Sequence, residues 1–240
     1  MLVRLRLNRA STSLCEDLRG ETPRKSSQTY AYPPLVAHDP DRAPLVLHAL
    51  RCIGFTNESR IAAAAGLPVG EVMPVLSDLV ERGLVTEEFG PFGGWGITDR
   101  GRARDDEWLA SELDAAGARE TVRDCYEAFL PLNTELLAAC SDWQMRKVGG
   151  AAIPNDHRDP DYDVGVIDRL SRIDESAQSL LTSLAAVLFR FSTYQRRLTT
   201  ALERVMAGDH SYFTDQVDSY HTIWFQLHED LLTSLGMGRN

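Results

Sequence analysis

From residue 44 onward, apolar residues recur at helical spacing. Leu45, Val46, Leu47, Leu50, Ile53 and Phe55 mark one face of a first predicted helix, and Gly54 supplies a stop. Thr56 or Asn57 can cap a short second helix with Ile61, Ala62 and Ala65 on its inner side, and Gly66 is the left-handed turn residue that ends it. A third helical pattern runs through Val72, Val75, Leu76, Leu79 and Val80 to Gly83. Gly83-Leu84-Val85 then enters a strand, residues 90–94 make a Gly-rich tip, and Trp95-Gly96-Ile97-Thr98 reads as the returning strand.

Beyond residue 104 the pattern predicts only helices and loops. A connector helix covers 105–113, and a longer one over 120–143 carries Val122, Tyr126, Phe129, Leu130, Leu136, Leu137 and Cys140 at helical spacing. Pro131 is expected to kink that helix or split it. Residues 149–160, with Asn155, Asp156, His157 and Asp159, read as a loop. Helices over 163–189, 193–206 and 209–235 follow, the last capped by Asp209 and ended by Gly236. Short connections between long amphipathic helices imply antiparallel neighbours. The predicted fold class is mainly α. An N-terminal winged helix-turn-helix with a small β-hairpin covers 41–104, and an antiparallel helical bundle for dimerisation or an effector covers 105–240.

Residues 1–40 differ from the rest. Arg4, Arg6, Arg9, Arg19, Arg24 and Lys25 lie among Ser, Thr and Pro with little apolar periodicity. They read as a flexible basic tail or an upstream mistranslated segment, with a phosphate-gripping arm as the alternative. Glu16, Asp17 and Glu21 dilute the charge such an arm needs.

Two stretches resemble known families. Gly66 to Gly83 frames the third helix, and Gly83-Leu84-Val85 followed by Ile97-Thr98-Asp99-Arg100-Gly101-Arg102 frames the hairpin. In that order they resemble the winged-helix domains of MarR and related bacterial regulators, which implies a DNA-binding transcription regulator. Ser141-Asp142-Trp143-Gln144-Met145-Arg146 and Asp218-Ser219-Tyr220-His221-Thr222-Ile223-Trp224-Phe225 are similar to a helical region that accompanies actinobacterial proteins related to pyruvate phosphate dikinase. That likeness implies a protein partner, a phosphotransfer enzyme, and brings no catalytic residues. Neither the phosphorylatable histidine motif nor the nucleotide-grasp motifs occur here.

The reading head departs from the regulator pattern. Bases in the major groove are told apart by hydrogen bonds, yet Leu67-Pro68-Val69-Gly70-Glu71-Val72-Met73-Pro74 offers almost no donors. Pro74 implies that the third helix either bends or starts near it. The wing, from Glu87 to Trp95, holds no Lys or Arg to reach a minor groove. Arg60, Arg100, Arg102 and Arg104 are the candidate phosphate contacts; alternatively they are solvated charges partnering Asp99, Asp105 and Asp106. Phe89, Phe92 and Trp95 on the hairpin form either a protein-docking patch or part of the domain's own core.

Charge narrows the function classes. Over 240 residues the formal net charge is -10, so the chain is no generic polyanion binder, and contact with DNA requires a local basic surface. No uncharged apolar run approaches the roughly 18 residues of a membrane span, and the N-terminus lacks the apolar core of a signal peptide. A cytoplasmic chain with no membrane partner is expected. Cys15, Cys52, Cys125 and Cys140 contain no Cys-x-x-Cys pair, which predicts buried free thiols in a reducing compartment.

No phosphate loop, nucleophile elbow or His-Glu-x-x-His is present, so neither enzyme activity nor a cofactor is expected. Asp218, His221 and His228, spaced by three and seven, are a weak metal-like grouping; histidines packed beside Trp224, Phe225 and Leu232 are the preferred reading. The expected function is a homodimeric winged-helix transcriptional regulator. The alternative is a regulatory or scaffold protein that uses the same fold to bind a protein.

Overall fold

A computed structural model describes residues Arg42 to Met237, so the tail expected over 1–40 lies outside the described residues. Helix α1 (Ala43–Ile53) starts with Pro44 in its first turn, where a missing N–H costs nothing. Helix α2 (Glu58–Ala65) is capped by Asn57, whose side chain accepts the Arg60 N–H at 3.0 Å. It ends at Gly66, whose φ of 71° takes the left-handed turn that a side chain would strain. Helix α3 (Val69–Glu81) begins three residues later, and its axis turns 105° from that of α2. Pro74 does not delay its start. The Gly70 carbonyl that loses its donor sits on an exposed residue, where solvent can replace the bond.

Strands β1 (Val85–Glu88) and β2 (Gly94–Ile97) pair antiparallel, with Val85 opposite Ile97 and Glu88 opposite Gly94. Thr56 adds a short third edge. Its N–H donates to the Trp95 carbonyl at 3.1 Å, and its carbonyl accepts the Trp95 N–H at 2.7 Å. Helix α4 (Asp99–Ala116) follows at once, capped by Thr98, whose hydroxyl oxygen accepts the Gly101 N–H at 2.9 Å. The boundary expected between 104 and 105 therefore falls inside a continuous helix.

Helix α5 (Arg119–Gln144) passes Pro131 without dividing. Pro131 and Glu127, whose carbonyl loses its donor, are both exposed, so solvent satisfies the break. A second antiparallel hairpin, β3 (Met145–Val148) and β4 (Ala151–Pro154), turns at Gly149-Gly150. The sequence signal ran a loop through this hairpin's turn and second strand, because four-residue exposed strands show no alternation. Helix α6 (Pro160–Val187) leads through a 3-10 turn (Phe189–Phe191) to α7 (Ser192–Met206). The single helix expected over 209–235 is two: α8 (Ser211–Thr214) and α9 (Tyr220–Ser234). Ser219 caps α9 by accepting the Thr222 N–H at 3.3 Å.

The described chain is thus mainly helical with two small antiparallel hairpins. Its apolar residues bury in two clusters. One joins α1, α2, α3 and the first hairpin around Leu47, Leu50, Ile61, Leu76 and Trp95. The other joins the end of α4 to α9 around Phe129, Trp143, Leu181, Phe213 and Trp224, with the Phe129 and Trp224 rings stacked 4.7 Å apart. Each such fully buried large side chain stabilises the fold by about 1.5–3 kcal/mol. Helices α1 and α4 pack on α9, and α2 packs on α7, so polar side chains between the clusters become buried. Cys52, Cys125 and Cys140 are free and buried, and burial pushes the Cys140 thiol up to about 11. No single helix among the described residues is long and apolar enough to cross a membrane.

Candidate functional site

The structure brings two of the four candidate arginines, Arg100 and Arg104, into one cleft and leaves Arg60 and Arg102 outside it. Arg60 turns toward the segment before α9, donating to the Val217 carbonyl at 3.0 Å and the Thr56 hydroxyl at 3.1 Å. Arg100 and Arg104 lie one turn apart on α4 and share a cleft of about 360 Å³ with Arg82 at the end of α3. Arg82 was absent from the sequence-based candidates. Trp108 backs this group: the Arg104 and Arg82 guanidinium carbons lie 4.8 Å and 5.8 Å from its ring centre. Arg104 also pairs with Glu107 at 2.6 Å, and Arg82 with Asp78 at 3.0 Å; both are exposed bridges of small energy. No described residue pairs with the side chains of Arg100 or Arg102, and both are exposed. Arg102 is not among the residues that line the cleft.

The three hairpin aromatics divide as well. Trp95, held by the Thr56 bridge, is 5% exposed and belongs to the first core cluster. Phe89 and Phe92 at the tip are 85% and 93% exposed. Only these two remain available to a partner. Replacing both with Ser is expected to change unfolding free energy by no more than about 0.5 kcal/mol, since neither is buried; urea unfolding measures this. A larger loss would mean the tip packs on its own domain.

Asp218, His221 and His228 do not assemble. Asp218 is exposed and precedes the cap of α9, so it is off the helix that the spacing argument required. His228 packs between aromatic rings, tilted against Phe129 at 5.1 Å and stacked on Tyr126 at 6.1 Å between ring centres. His221 is half-buried, and burial lowers its pKa.

The most concentrated buried chemistry lies elsewhere, where α1 and α4 meet the 3-10 turn and α9. His48 and Cys52 are one turn apart on α1, and Asp230 and Ser234 are one turn apart on α9. His48 Nδ1 lies 3.1 Å from Asp105 Oδ2 on α4, while its Nε2 lies 3.1 Å from Asp230 Oδ1 and 3.5 Å from Cys52 Sγ. Arg190 from the 3-10 turn donates to Asp230 Oδ1, to Ser234 Oγ at 2.7 Å and, through Nε, to Glu112 at 2.8 Å. Arg51 bridges Asp105 at 3.2 Å and Asp106 at 2.5 Å.

Burial opposes a charged imidazole, but the Cys52 sulfur and the Asp230 and Asp105 carboxylates outweigh it and hold the His48 pKa well above its usual range. The Cys52 thiol is itself pushed up by burial. Asp230 is also buried, yet the Arg190 and His48 charges keep its carboxyl well below the usual range. Asp105 Oδ1 is buried with no hydrogen-bond partner among the described residues. A void of about 20 Å³ touches His48, Cys52, Tyr194, Gln226 and Asp230. Beside it, a mostly apolar cleft of about 390 Å³ is lined by Leu45, Trp108 and Leu109 and by His48, Asp105, Glu112 and Arg190.

Cys52, His48 and Asp105 stand in the order of a nucleophile, base and orienter. The void beside the sulfur holds about one water and no substrate, and Asp230 and Arg190 already crowd Nε2. Sequence reasoning gave Cys52 as a buried free thiol but missed the cluster around it. The available signal was His48 interrupting the apolar face of α1 between Leu47 and Leu50. Compared with protein-family models, curated proteins and solved structures, the chain matches none.

Proposed function

We propose that the chain is a winged-helix regulator that grips nucleic-acid backbone through Arg82, Arg100 and Arg104, with the helices beyond α4 serving to dimerise and to hold an effector. A helix-turn-helix pairs two helices at about 90–120° through a short turn often containing Gly. Here α2 and α3 cross at 105° through Gly66-Leu67-Pro68, and a hairpin follows. The observation that carries the reading is the arginine cleft beside this pair, a local basic surface on a chain of net charge -10.

The exposed residues of α3, including Val69, Glu71, Met73 and Ser77, supply little to read base edges. Binding then rests on phosphate contacts, and site choice on duplex shape and on the spacing of half-sites across a dimer. The test is fluorescence anisotropy on duplex fragments from low to physiological salt, with wild type and the Arg82→Ala/Arg100→Ala/Arg104→Ala variant. Each phosphate contact contributes about 0.9 to the log–log salt slope, so the triple variant is expected to bind with a slope shallower by about 2.7. No binding at low salt, or an unchanged slope, would sink this reading.

A second reading is a protein-docking module with the hairpin tip as its contact, favoured by the exposure of Phe89 and Phe92. The Phe89→Ser/Phe92→Ser variant separates the two. Intact DNA binding with lost association to a defined partner supports docking, whereas lost DNA binding puts the tip on the duplex.

A further inference from the structure

We propose that His48 Nε2, Cys52 Sγ and Asp230 Oδ1 form a binding site for a borderline-soft divalent cation of the zinc class. These three donor atoms lie within 4.8 Å of one another and are buried. Tetrahedral zinc has bonds of about 2.3 Å to sulfur and about 2.0–2.1 Å to nitrogen or oxygen, which separates S from N by about 3.5 Å and N from O by about 3.3 Å. The observed separations are 3.5 Å for Sγ to Nε2 and 3.1 Å for Nε2 to Oδ1.

The surroundings fit as well. A metal-bound histidine commonly donates its other ring N–H to a carboxylate, which fixes the ring and raises its basicity. His48 Nδ1 meets Asp105 Oδ2 at 3.1 Å in this way. The adjoining void of about 20 Å³ is large enough for a water as fourth ligand, and the cleft lined by His48 and Arg190 offers a route in. Thiolate with imidazole favours zinc and its first-row neighbours over magnesium or calcium.

Ligation needs a bare imidazole Nε2 and a thiolate, so a divalent cation enters as any proton on Nε2 and the thiol proton leave. Arg190 NH1, now on Asp230 Oδ1, must give way to the cation. Its guanidinium keeps Ser234 and Glu112 as partners and has Asp230 Oδ2 within the same carboxylate. A bound cation would tie α1 to α9, joining the helix-turn-helix side of the molecule to its last helix.

The experiment titrates the chelator-treated full chain with cobalt(II), without DNA, so its outcome is independent of the regulator reading. One cobalt per chain is expected, with a thiolate-to-cobalt charge-transfer band and visible bands of tetrahedral intensity. The band should vanish in Cys52→Ser and persist in Cys15→Ser and Cys125→Ser. Asp105→Asn should lower affinity about 10–100-fold while retaining the band. Absence of the band in wild type, or its survival in Cys52→Ser, overturns the site. Should Cys52→Ser fail to fold by circular dichroism, X-ray absorption on the zinc-loaded wild type decides. One sulfur neighbour at about 2.3 Å supports the site; none, or two or more, overturns it.

Discussion

Replacing Arg190 with Met is expected to lower the unfolding free energy by about 3–5 kcal/mol, the cost of stripping one partner from a buried ion pair. For a chain of this size the melting temperature should fall by roughly 10 °C. Removing the guanidinium affects its two acidic partners differently. The Glu112 side chain is 38% exposed and can turn to water, whereas Asp230 is 3% exposed and cannot. Without Arg190, the acids Asp230 and Asp105 face His48 and Arg51, and Asp106 already draws on Arg51. The buried cluster is then left short of positive charge.

If stranded charge is the cause, removing the carboxylate as well should restore part of the loss. The Arg190→Met/Asp230→Leu pair is therefore expected to be more stable than Arg190→Met alone, a non-additivity that urea unfolding of the full cycle would show. A loss under about 1 kcal/mol in the single variant would mean the bridge behaves like an exposed one, contrary to its burial.

That this joint was invisible in the sequence has a physical reason. Periodicity reports which face of a helix is buried, and not what it is buried against. His48 and Asp105 are 57 residues apart, and His48 and Arg190 are 142 apart. No local pattern links them. By contrast, α1, α2, α3 and the first hairpin were legible because each depends on neighbours within a few residues: the Asn57 cap, the Gly66 turn and the apolar spacing of α3. The candidate phosphate group was half legible. Arg100 and Arg104 are one helical turn apart and readable as a pair, but Arg82 joins them only because the hairpin folds α4 back onto the end of α3. The aromatics show the same limit. Phe89, Phe92 and Trp95 are alike by composition, but Trp95 lies within β2 and is bridged to Thr56, whereas Phe89 and Phe92 lie at the tip between the strands.

The fold of the hairpin onto α4 makes the second large effect. Gly101 occupies the first turn of α4, where intrinsic helix propensity says Ala should gain about 1 kcal/mol. Here the close approach outweighs that gain. A Cβ on Gly101 would stand 2.1 Å from the Leu84 carbonyl oxygen and 2.8 Å from Ile97 Cγ1. The Leu84 oxygen cannot retreat, because it accepts the Thr98 N–H at 3.1 Å, the Thr98 hydroxyl lies between the Gly83 and Leu84 carbonyls at 2.9 and 3.1 Å, and Thr98 caps the helix. Gly101→Ala must push α4 off the hairpin base or break the cap, and a loss of about 3 kcal/mol is expected.

Gly165, exposed within α6, is the control: a Cβ there meets nothing within 4 Å, and Gly165→Ala should stabilise by about 0.5–1 kcal/mol. Opposite signs for the two substitutions by thermal unfolding would establish that Gly101 serves close packing. Because α4 carries Arg100 and Arg104, Gly101→Ala should also displace them from Arg82 and, under the proposed function, weaken binding to DNA even where the chain remains folded. A Gly101→Ala protein as stable as wild type would show that α4 sits further from Leu84 than the structure places it.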